Sequence, residues 1–145
     1  MNIREYPQRP IIGTGVCILC GNRILLARRK KMPRIGSWSL PGGAQKIEET
    51  IEECAIREIR EETGFKIAIL GYIDTVDSIT YDNTGKVLYH YTLVDFFAKV
   101  VSGELRSGSD ASEVKWFSKD QVETLEMWNE TKRIISLSFK LRDNL

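Results

Sequence analysis

The chain has 145 residues, 42% of them hydrophobic and 28% charged, with a formal net charge of +1. That length fits a single domain over residues 1–145 with one core, and the near-neutral balance offers no general field for DNA or an anionic membrane. The opening MNIREYPQRP is charged where a secretory leader would be apolar, and the chain has no apolar run of about 18 residues, so a cytoplasmic protein with no membrane partner is expected.

Residues 11–20, IIGTGVCILC, read as a strand, Gly21-Asn22 as a turn, and residues 23–29 as the continuation with Ile24, Leu25, Leu26 and Ala27 inside. Gly13 and Gly15 weaken the first strand and mark either a bulge or a close approach of a ligand to the backbone. Cys17 and Cys20, three apart on that strand, point to opposite faces. They are therefore read, with Cys54, as reduced structural thiols and not as a zinc or redox site.

The stretch RRKKMPRIGSW follows, dense in cations. Arg28 and Arg29 are candidate substrate-binding residues for phosphate, against the alternative of a solvated loop. Strand alternation turns them to opposite faces, so at most one is expected at a ligand. Trp38 either stacks on a base or anchors its loop. Pro41, Gly42 and Gly43 permit a tight turn whose backbone can approach a metal or a phosphate.

Residues 43–65, GAQKIEETIEECAIREIREETGF, dominate the reading. Thr50 and Glu53 form a capping-box pattern and Gly64 supplies the C-terminal glycine, which predicts a helix over residues 49–63. At ~100° per residue, Ala55, Ile56 and Ile59 share the core arc while Glu58, Glu61 and Glu62 share an adjacent one. Glu61 and Glu62 lie in the last turn, where the helix dipole disfavours anions. The cluster costs on the order of 1–3 kcal/mol by itself. A hard divalent cation offsets such a cost; the plainer alternative is a surface helix neutralised by Arg57 and Arg60.

The spacing Gly43-x5-Glu49-x7-Arg57-Glu58-Ile59-x-Glu61-Glu62-x-Gly64-Phe65 resembles the complete signature of the Nudix hydrolases. The resemblance implies an α/β fold of the Nudix type, an α/β/α sandwich with a mixed β-sheet and helices on both faces. It also implies Mg²⁺- or Mn²⁺-dependent hydrolysis of a pyrophosphate bond in a nucleoside diphosphate linked to another moiety. Glu58 and Glu62 would be the principal metal ligands and Glu61 a further ligand or a catalytic base, with the Gly42 carbonyl completing the shell. Arg57 and Glu49 would brace the loop, between Gly43 and Gly64. A homodimer, common in the family, stays open.

Downstream, residues 66–76 and 89–101 are β-rich around the turn Asp82-Asn83-Thr84-Gly85. Tyr81, Tyr89, His90 and Tyr91 gather polar aromatics where a base could be held. A short strand at residues 114–117 leads to a helix capped by Ser118 and Gln121. This tail is similar to that of ADP-ribose pyrophosphatase-like relatives, in which a loop carboxylate sometimes joins the metal; Glu113, with Asp110 behind it, is the candidate. A last helix over residues 131–141 carries Ile134, Ile135, Leu137 and Leu141. The chain lacks proline after the box, whereas a proline there marks some ADP-ribose-specific relatives, so the resemblance weakens ADP-ribose itself as substrate. Hydrolysis of a nucleoside triphosphate and a non-catalytic nucleotide sensor are the other readings.

Overall fold

A computed structural model of the protein describes residues 4–106 and 113–145. In chain order the elements are β1 (Ile11–Cys20), β2 (Arg23–Arg28), β3 (Trp38–Ser39), β4 (Gly42–Ala44), α1 (Ile51–Thr63), β5 (Phe65–Tyr81), β6 (Val87–Gly103), β7 (Val114–Ser118), α2 (Lys119–Thr124) and α3 (Asn129–Asp143).

β1 is buried without a break from Gly13 to Leu19, as expected of a strand covered on both faces. Along one edge it pairs parallel with β6. Along the other it pairs antiparallel with β4 near its start and with β2 at its end. β5 extends the sheet antiparallel to β6, while β3 and β7 flank β2. The sheet is therefore mixed, as the sequence predicts. The β5–β6 pair is longer than expected, 17 residues in each strand, because Asp82 closes its turn by accepting hydrogen bonds from Thr84 and Lys86.

Alternate residues of β1 feed two cores. Val16 and Ile18 join Ala55 and Ile59 of α1; Cys17 and Leu19 join Val122 of α2 and Ile134, Ile135 and Phe139 of α3 on the opposite side. Cys17 is buried and Cys20 exposed, so the two thiols do face apart.

Two helix faces differ from expectation. α1 starts at Ile51 with Thr50 as N-cap and buries Cys54, Ala55, Ile59 and Thr63, while Ile56 is 37% exposed. Thr63 takes the place expected of Ile56 because its hydroxyl has local partners: it donates to the Ile59 carbonyl and accepts from the Phe65 N–H. In α3, Phe139 is buried and Leu141 lies outside the core.

Candidate active site

The loop before α1 is built on Arg57. Its guanidinium grips Glu49 with two hydrogen bonds of 2.5 and 3.0 Å, a fork geometry that lysine cannot reproduce. It also donates to the Ala44 carbonyl at 3.1 Å, to Glu58 at 2.9 Å and to Glu61 at 3.2 Å. One side chain thereby ties β4, the loop and the helix together. The pairing holds the Glu49 carboxyl down at about 2. Glu58 moves the other way, raised by burial against the opposing pull of Arg57.

The glycines of β4 leave room for these acids. A β-carbon on Gly43 would occupy the space of the Glu58 carboxylate, and one on Gly42, where φ is +155°, would strike the Thr14 carbonyl. The Gly42 N–H donates to Glu62 at 2.7 Å. Two glutamates one helical turn apart are thus fixed over consecutive residues of one strand, as the periodicity of α1 requires.

Glu58, Glu61 and Glu62 all line a cavity of about 580 Å³ on the α3 side of the sheet. Its floor is Gly13 and Gly15 of β1 with Tyr91, Leu93 and Asp95 of β6; α3 contributes Ile134. Arg28, Arg29 and Arg34 line the same cavity. The donor set offered by α1 is oxygen-only and opens to the cavity, which fits a hard cation such as Mg²⁺ that takes few protein ligands. Among the described residues, no three acidic, histidine or cysteine side chains are already gathered as a closed metal cage.

Several expectations are corrected. Both Arg28 and Arg29 line the cavity, because β2 ends at Arg28 and alternation no longer governs its successor. Trp38 lines it too, but its ring is buried, edge-on to Phe117 at 4.7 Å and covered by the Arg28 guanidinium at 4.7 Å. It anchors the wall, and its face is not open to a base. Glu113 is not among the residues that line the cavity; it accepts a 2.9 Å hydrogen bond from Arg28, which does line it. Asp110 falls outside the described residues. Of the four polar aromatics only Tyr91 lines the cavity; Tyr81 is exposed and Tyr89 is buried. The sequence places Arg34 in its cationic stretch without singling it out, and this residue stacks on Trp128 at 4.2 Å; sequence reasoning missed Asp95. Only the three-dimensional pairing of β1 with β6 brings the latter into view.

Fold and site together define an α/β/α domain with an acidic loop–helix at the mouth of a cavity whose wall is basic. Residues 9–137 match the family model of the NUDIX domain, and the chain belongs to that family. It is 34% identical over 116 residues to an ADP-ribose pyrophosphatase of Methanocaldococcus jannaschii, covering 80% of this chain and 66% of that protein, just under two thirds of its length. Over 126 residues it is 32% identical to the NAD-capped RNA hydrolase NudC of Pseudomonas aeruginosa, covering 85% of this chain but 41% of that one. The solved structure of a MutT NUDIX hydrolase from Burkholderia pseudomallei superposes with a TM-score of 0.76 at 29% identity, over 90% of this chain and 98% of the other. None of the helices in the described residues is long and apolar enough to cross a membrane.

Proposed function

We propose that this protein is a metal-dependent pyrophosphohydrolase acting on a nucleoside diphosphate linked to another moiety, of the ADP-ribose or nucleotide-sugar kind. The observation that carries the proposal is the meeting of Glu58, Glu61 and Glu62 with Arg28 and Arg29 around one cavity. Acids alone would repel a pyrophosphate and arginines alone could not activate water. Together they suit a charged substrate that arrives with a cation.

Glu58 and Glu62, with Glu61 and the Gly42 carbonyl, would hold Mg²⁺ or Mn²⁺. When bound, such an ion neutralises phosphate oxygens and lowers the pKa of water. The chain's own residues then orient and shield. Arg57 and Glu49 keep the acids in register with β4, and Glu61, 56% exposed, is the acid with most freedom to take a proton. Arg28 and Arg29 draw the phosphates toward the acids. The three free thiols suit a reducing, cytoplasmic setting, and the long exposed edge of β5 suits a homodimer.

A second reading, hydrolysis of a nucleoside triphosphate, is favoured by 29% identity over 113 residues, 77% of this chain and 68% of the other, to a putative 8-oxo-dGTP diphosphatase of Bacillus subtilis. A panel of ADP-ribose, nucleotide sugars, dinucleotides and triphosphates, incubated with Mg²⁺ in ¹⁸O-water and followed by mass spectrometry, separates the readings by product and by the phosphorus attacked. The expected result is cleavage of a sugar-linked diphosphate that Glu62→Gln reduces at least about 100-fold. Binding of these ligands without turnover of any would instead make the domain a sensor.

A further inference from the structure

Asp95 has no part in the proposed hydrolysis, yet its position is costly. It is 4% exposed, and the residues two positions away on the same face of β6, Leu93 and Phe97, are apolar and packed in the core around α3. An apolar side chain would suit that face better, since a carboxylate removed from water needs partners. Among the described residues Asp95 accepts one hydrogen bond, from the Gly15 N–H at 3.0 Å. A carboxylate has capacity for about four.

The surroundings are cleared for it. A β-carbon on Gly15 would lie 2.8 Å from Asp95 Oδ1, so glycine there is what lets the acid reach the backbone. Both residues line the cavity floor. Gly42, Gly15 and Asp95 are also direct neighbours across β4, β1 and β6. Two strand spacings put the Asp95 backbone roughly 10 Å from Gly42, whose N–H Glu62 holds. That is about the separation between a bound pyrophosphate and the nucleoside attached to it.

We infer that Asp95 is a specificity-determining residue, whose carboxyl group accepts a hydrogen bond from an N–H or O–H donor on the nucleoside part of the substrate. The inference deepens the proposed function and rests on it for the ligand class. Burial also pushes the Asp95 carboxyl up to about 7, as expected of an acid that awaits a partner. The donor could belong to a base amine or imide or to a sugar hydroxyl, and the test below separates the two.

The variant to make is Asp95→Asn, which keeps an oxygen for the Gly15 N–H and replaces the other with an amide donor. Wild type and variant are compared on diphosphate substrates differing only in the base, and on ribo and 2′-deoxy pairs. The expected result is a loss of about 10- to 100-fold in kcat/KM on the preferred substrate, mostly through KM. Removing the recognised donor from the substrate should cost the wild type a similar factor and the variant almost nothing. Selectivity that changes with the base assigns the donor to the base; a change confined to the ribo and deoxy pairs assigns it to the sugar. Equal losses on every substrate, or none, overturn the inference. Titration calorimetry of the same nucleotides reads Asp95 independently of hydrolysis: a wild type that binds but does not turn over refutes the hydrolase reading, while an unchanged binding preference in Asp95→Asn refutes this one.

Discussion

Two arginines serve two sides of the cavity, Arg57 the acids and Arg28 the basic wall, and they do so differently. Arg57 is 21% exposed and bonded to Glu49, Glu58, Glu61 and the Ala44 carbonyl. Arg28 is 42% exposed, pairs with a Glu113 that is 45% exposed, and lies over Trp38. The first has its donors committed to the protein and acts as a fixed joint. The second is held loosely enough to exchange a carboxylate for a phosphate, at little cost because half-exposed ion pairs contribute only about 0–1 kcal/mol. A cavity for a charged ligand needs both, one cation to shape it and another to receive.

Substitution should widen that contrast. Arg57→Lys keeps the charge but loses the fork to Glu49, and kcat should fall about 100-fold, with KM changing less, because the acids lose their alignment. Steady-state kinetics check this. The same joint sets an acid limit. Glu49 has its pKa depressed in the folded protein from 4.5 to about 2, so its contribution is complete above 4.5 and is lost as pH falls toward 2. Thermal melts between pH 2 and 6 should show that loss in the wild type and a smaller one in the lysine variant. Arg28→Ala should raise KM about 10-fold and leave kcat within about 3-fold. Glu113→Gln is the mildest, a change below about 3-fold in either constant, since it frees Arg28 without removing it. If Glu113→Gln proved as damaging as Arg57→Lys, the two sides would not differ as described.

The two sides also differed in how far the sequence revealed them. The partners of Arg57 lie between Ala44 and Glu61, so helical periodicity reaches Glu58 and Glu61, while the brace to Glu49 came from the family resemblance. Glu113 stands 85 positions from Arg28, and Asp95 stands 80 from Gly15. No local rule spans such distances, because strand pairing creates the contact. Hence the acids were legible, their brace and the mixed sheet with its helices on both faces followed from the family resemblance, and of the floor the sequence marked Gly13, Gly15 and Tyr91 but neither Leu93 nor Asp95. Periodicity also fails where a polar residue satisfies itself locally, which is why Thr63 is buried and Ile56 is not. Alternation failed for Arg29 because the strand stopped one residue earlier.

The space that Glu58 takes from Gly43 bears on how this scaffold can be redesigned. A side chain at position 43 would push the Glu58 carboxylate aside, so variants there should fold and still lose activity. Tyr91 and Leu93 line the same cavity from β6 and not from the box. Retargeting this domain to new ligands therefore has a natural starting place in β6, with the chemistry left untouched next door.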